Sequence, residues 1–67
     1  MRNYNLSPRE IEVLVLVADG FSTKQVGAEL GITRKTADCH RQRIMDKLNL
    51  HNTAHLVRYA MRNGMVV

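Results

Sequence analysis

The stretch Thr33–Leu48, TRKTADCHRQRIMDKL, decides how this chain is read. It opens on a threonine that can cap a helix, and it contains neither glycine nor proline. Arg34, Lys35, Arg41, Arg43 and Lys47 stand in it against Asp38 and Asp46. Gly31-Ile32 alone separates it from an earlier, shorter helical pattern. A short helix, a tight turn and a longer basic helix outline a helix-turn-helix, in which the second helix enters the major groove of DNA.

Stepping along this helix at about 100° per residue sorts its side chains into two faces. Ala37, Ile44 and Leu48 form a core stripe, with His40 and Arg41 at its edges. Lys35, Cys39, Gln42 and Asp46 point the other way, flanked by Asp38 and Arg43. The outward face supplies the candidate base contacts Cys39, Gln42 and Lys35. Gln42 suits an adenine edge in bidentate fashion. Lys35 carries a flexible point charge that also suits phosphate. Cys39 reads as a small apolar side chain against a thymine methyl rather than as a redox switch. Arg43 and Lys47 are candidate phosphate contacts, with simple solvation as the other reading. Arg41 is expected to lay its stem along apolar surface, and His40 to be a satisfied structural histidine.

Working outward, Ser7-Pro8-Arg9-Glu10 is a capping box with proline at the first helical position. Leu6 and Ile11 fit the hydrophobic staple. The helix is expected to run through Asp19 and stop at Gly20. Val13 to Ala18 is apolar nearly all round, so this helix should be a central strut buried on more than one side. Ser22 and Gln25 form a second capping box before a helix over Thr23–Leu30, with Val26 and Leu30 inward. Gly27 costs that helix about 1 kcal/mol relative to alanine. Either close packing offsets the loss or the helix is locally weak. Beyond the decisive stretch, Asn49 to Asn52 is a polar connection. Asn52 caps a fourth helix over Thr53–Asn63, ended by Gly64, with Leu56, Val57, Ala60 and Met61 as its apolar stripe. The expected fold is therefore all-α, four helices in one domain over 6–67, with 1–5 as a lead-in or linker.

The totals narrow the function. A chain of 67 residues has one small core and no room for a deep catalytic cleft. No serine-histidine-acid set, glycine-rich phosphate loop or organised carboxylate pair argues for an enzyme. The net charge of +4 and pI near 9.9 suit a polyanionic partner. Cys39, His51 and His55 give a Cys…His-x3-His spacing, but the single cysteine lacks the second one a zinc finger needs. No metal or other cofactor is expected. No apolar run approaches the roughly 20 residues that span a bilayer, and no signal peptide is visible.

Several separated segments together resemble the LuxR-type helix-turn-helix domain of NarL/FixJ response regulators and GerE-like small regulators. They are LSPREIEVL at Leu6–Leu14, then Gly20, Lys24, Ala28-Glu29-Leu30 and Ile32. Thr36, His40, Ile44-Met45 and Lys47-Leu48 continue the match, and Leu56-Val57, Tyr59-Ala60 and Gly64 complete it. The resemblance implies a bacterial, cytoplasmic, nucleoid-associated transcription regulator of a two-component system. It implies a recognition helix over 34–48 and base contacts at Cys39 and Gln42. Phosphate contacts are implied at Lys24 and from Thr33 through Arg34 to Thr36. It implies a homodimer on paired half-sites through the fourth helix, with Tyr59, Met61 and Arg62 at the contact, and RNA polymerase as a possible further partner. Neither a membrane nor a small-molecule ligand is implied for this domain. The chain departs from its relatives at Ala37-Asp38, where they often carry Val-Lys. Asp38 is expected to pair with Arg34, Lys35 or Arg41, or to accept from a cytosine amino group, the salt bridge being preferred. Gly27 stands where alanine is common and Val26 where isoleucine is; both read as conservative. Two other readings remain. A promoter-reading sigma-factor domain has a similar helix-turn-helix, but the fourth helix argues against it. A helical protein-interaction module would use the basic face on an acidic partner.

Overall fold

Two serines start two helices by the same reciprocal device. Ser7 Oγ accepts from the Glu10 N–H at 3.1 Å, and Glu10 Oε1 accepts from the Ser7 N–H at 2.9 Å. Ser22 and Gln25 repeat the exchange at 3.2 and 2.9 Å. Thr33 Oγ1 accepts from the Thr36 N–H at 3.1 Å, and Asn52 Oδ1 from the His55 N–H at 2.9 Å. Each cap satisfies a backbone donor that the helix leaves open, worth about 1 kcal/mol. The computed structural model describes residues 6–65. The lead-in over 1–5 and the tail residues Val66 and Val67 lie outside the described residues. The elements are α1 (Pro8–Ala18), α2 (Thr23–Leu30), α3 (Arg34–Leu48) and α4 (Thr53–Arg62).

The helix ends differ from expectation by single residues. α1 ends at Ala18 with Asp19 as its C-cap, and Gly20 stops it as expected: at φ +101° its N–H bonds the Val17 carbonyl, and the Phe21 N–H bonds the Leu16 carbonyl, both at 3.0 Å. α4 stops at Arg62, where Asn63 Nδ2 donates to the Tyr59 carbonyl at 2.8 Å. α3 ends on Asn49, which adopts the left-handed conformation at φ 56°. Asparagine tolerates that region better than most residues. The sequence reading placed Asn49 in a loop and did not credit it as the cap.

α1 is the strut. It packs against α2, α3 and α4. Val13, Leu14 and Val17 are buried together with Val26, Ala37, Ile44, Met45, Leu56 and Ala60. Several burials differ from the helical pattern. Met45 takes a full core position on α3, whereas Leu48 and Leu30 are only partly buried. Arg41 lies over Met45, its Nη1 3.7 Å from the sulfur, so the arginine stem seals what the thioether fills. Ile11, Val15 and Leu16 are half-buried, so the outer flank of α1 stays open beside Glu29 and Leu30. On α4, Met61 is 56% exposed and leaves the core stripe to Leu56 and Ala60, with Val57 on its edge.

Gly27 is not a conservative replacement. A β-carbon there would stand 2.7 Å from the Ile32 carbonyl oxygen and 3.3 Å from the Arg34 nitrogen. The turn is tied to this point, since the Ile32 N–H donates to the Gly27 carbonyl at 2.9 Å. Both obstacles are backbone, so relief requires moving the turn itself. The helix-propensity gain of about 1 kcal/mol for alanine is outweighed by an overpacking cost of about 1–3 kcal/mol. Gly27→Ala is therefore expected to lower stability in urea unfolding. An unchanged or higher midpoint would show that the turn yields freely.

Candidate nucleic-acid interface

The two faces of α3 are realised. Ala37, Ile44 and Met45 are buried, whereas Lys35, Cys39, Gln42, Arg43 and Asp46 are exposed. Lys35, Cys39 and Gln42 thus share the side of the helix turned from the core. At the start of α3, Thr33, Arg34 and Thr36 are exposed, and Thr33 Oγ1 also accepts from the Thr36 hydroxyl at 2.9 Å. Lys24 is exposed in the first turn of α2. Arg34, Asp38 and Arg41 share an open cleft with Ser22 and Thr23, where the starts of α2 and α3 approach each other. That arrangement gathers hydroxyls, guanidinium groups and helix N-terminal amides, the donor types that phosphates take.

Acidic side chains on α3 are matched within the helix. Asp38 Oδ2 stands 3.9 Å from Arg34 Nε, which is one of the pairs anticipated for it. Both partners are well exposed, so this pair is worth well under about 1 kcal/mol. Gln42 Nε2 donates to Asp46 Oδ1 at 3.1 Å. The i,i+4 spacing of Gln42 and Asp46 was legible in the sequence, but the reading did not connect them.

Lys47, a candidate phosphate contact, is engaged within the domain. Its Nζ lies 2.8 Å from Glu10 Oε1, the carboxylate that also closes the α1 capping box. Glu10 is 3% exposed. The Lys47 ammonium, bonded to the carboxylate, holds Glu10 below the ordinary carboxylate value, against burial that pushes it up. The Ser7 N–H adds to the lowering. The pairing follows from desolvation: a buried carboxylate requires a cation, and Lys47 supplies it. The sequence reading took Glu10 only as a cap, and partners 37 positions apart leave no local signal. His40 also departs from expectation, because its Nδ1 is enclosed with no hydrogen-bond partner. The Glu10 carboxylate near it is engaged by Ser7 and Lys47.

The expected contact trio on α4 is not gathered on one side. Tyr59 and Arg62 line a cleft with Leu50, His55 and Arg58. Met61 points roughly 160° away from Tyr59 around the helix. Among the described residues, no group of three or more His, Cys, Asp or Glu side chains stands ready to hold a metal ion. No helix of the described residues is long and apolar enough to cross a membrane.

The family described as GerE, bacterial regulatory proteins of the luxR family, matches residues 4–60. The transcriptional regulatory protein MctR of Rhizobium johnstonii is 44% identical over 61 residues, covering 91% of this chain and 28% of that protein. The oxygen regulatory protein NreC of Staphylococcus carnosus is 39% identical over 61 residues, covering 91% of the chain and 28% of that protein. YgeK of Escherichia coli, described as an uncharacterized response regulatory protein, is 42% identical over 60 residues, 90% of the chain and 41% of that protein. The chain therefore spans between about a quarter and two fifths of the length of these relatives. No solved structure matches it closely enough to count as similar.

The Glu10–Lys47 pair makes stability depend on pH. A carboxylate whose folded pKa is depressed contributes stability above its unfolded value, near 4.3–4.5, and loses it as pH falls through the folded value. Urea midpoints should fall as pH drops below about 4.5, and Glu10→Gln should flatten that dependence. Lys47→Met should cost about 1–3 kcal/mol at neutral pH. Equal slopes in wild type and Glu10→Gln would refute the assignment.

Proposed function

Because the chain belongs to the luxR family of bacterial regulatory proteins, matched over residues 4–60, we propose that it reads duplex DNA in a sequence-specific manner, with α3 in the major groove. The observation that carries this reading is the division of α3. One side is locked to the core by Ala37, Ile44 and Met45, and the other presents Lys35, Cys39 and Gln42 to solvent. A rigidly seated helix with small and polar outward side chains is what base readout requires. In this reading Gln42 takes an adenine edge, Cys39 packs against a thymine methyl, and Lys35 reaches either a base or a phosphate. Lys24, Thr33, Arg34, Thr36 and Arg43 hold the backbone on either side. Lys47 is left out of that set because its ammonium serves Glu10.

The domain acts as the output unit of a transcription regulator, in the manner its response-regulator relative suggests. It does so as a homodimer on paired half-sites about 34 Å apart. Met61, the large apolar side chain that α4 leaves in solvent, anchors that contact. An interaction module that grips an acidic protein would use the same cations, but it gives no reason for the seated, outward-facing Gln42.

Two measurements test the reading. Binding to duplexes recovered by selection from random DNA should weaken with salt at a log–log slope of about −0.9 per phosphate neutralised. Random competitor DNA that abolished all discrimination would return the protein to the interaction-module reading. Gln42→Ala should cost roughly 1–3 kcal/mol at one base position and relax preference there. Lys24→Ala should weaken every sequence alike. An exchange of these two patterns would reverse the assignments.

A further inference from the structure

We propose that Asp46 is a positioning residue that fixes which way the Gln42 amide faces, and so sets the base Gln42 prefers. The inference rests on the reading of Gln42 as a base contact. An amide side chain has two ends of similar shape. One end is an acceptor, the other carries two donors, and a free amide can present either outward. Gln42 is exposed and is not held by core packing. The neighbour that bonds it is Asp46, whose Oδ1 lies 3.1 Å from Gln42 Nε2. An ionised carboxylate only accepts, so it bonds the donor end of the amide and rejects the carbonyl end. Asp46 therefore removes the flip ambiguity by its chemistry.

The bond leaves Gln42 with its carbonyl oxygen and one N–H unspent. Those are the two groups that bidentate pairing with adenine uses, the oxygen on N6–H and the N–H on N7. The reversed amide would put a donor where adenine also donates. Holding the amide in one orientation thus favours adenine over bases that want the reverse pattern.

The position of Asp46 is otherwise hard to account for. It lies in the last turn of α3, where the helix dipole disfavours a negative charge. It is exposed on the side of the helix proposed to face a polyanion. Both effects oppose a carboxylate there. The orientation of Gln42 is what the carboxylate offers in return.

Asp46→Asn tests this with little change of shape, because an asparagine amide can bond either end of Gln42. The probes are the selected duplex and its three single-base variants at the position that Gln42→Ala relaxes. Asp46→Asn is expected to reduce discrimination at that position by about 2- to 10-fold, with affinity for random duplex DNA equal or higher. In a Gln42→Ala background it should add no further loss of discrimination, which a purely structural role would not predict. Melting followed by circular dichroism checks the fold. Asp46→Ala, which removes the acceptor altogether, gives the same readout if the asparagine variant melts early. Intact discrimination in both Asp46 variants, beside a clear loss in Gln42→Ala, would overturn the role of Asp46 alone. Intact discrimination in Gln42→Ala would overturn the base-contact reading and this inference with it.

Discussion

The angle at which α3 leaves the turn depends on one close approach of backbone to backbone. Gly27 lies where a β-carbon would stand 2.7 Å from the Ile32 carbonyl oxygen. The missing side chain lets the turn fold back on α2, and the Gly27 carbonyl receives the Ile32 N–H. Gly31, at φ +70°, supplies the left-handed residue that reverses the chain there. Thr33 then caps α3 immediately. The outward face of α3 is useful only if this geometry is fixed. A helix that rocked on the turn would present Gln42 at a variable depth, and base contacts tolerate little such play.

The second fixation comes from the far end of α3. Lys47 reaches Glu10 on α1, and the same carboxylate caps α1 through Ser7. One buried acid thus joins the start of the strut to the end of the reading helix. Between Gly27 at one end and Glu10 at the other, α3 is clamped by a steric contact and an electrostatic one. Ala37, Ile44 and Met45 supply the apolar adhesion between them.

How much was legible in the sequence follows from the range of each interaction. The capping boxes at Ser7 and Ser22 and the caps at Thr33 and Asn52 are local, and they stood in the sequence as they stand in the structure. Helical periodicity likewise placed Lys35, Cys39 and Gln42 on the outer side of α3. What escaped was non-local or a matter of shape. The Glu10–Lys47 pair spans 37 positions and has no periodic signature. Gly27 read as a mild substitution because nothing in a sequence shows what a β-carbon would meet. Met61 was placed on the α4 stripe and Met45 on neither face of α3, because the edge of a helical stripe is settled by the neighbouring helix. Periodicity alone assigns such edge residues to either side.

In the proposed DNA-reading role, the acidic residues of α3 would set affinity against selectivity. A helix that only gripped phosphates would gain from lysine at every outward position, and each added contact would strengthen binding to all sequences alike. Here Asp38 and Asp46 each engage a polar side chain one turn earlier, Arg34 and Gln42. Each acid lowers the attraction for any phosphate backbone while restraining a side chain that would otherwise be free. Restraint lowers the entropy lost on contact and narrows the set of partners that fit. Selectivity is a difference between affinities. A feature that weakens every complex but weakens wrong ones more still sharpens the choice.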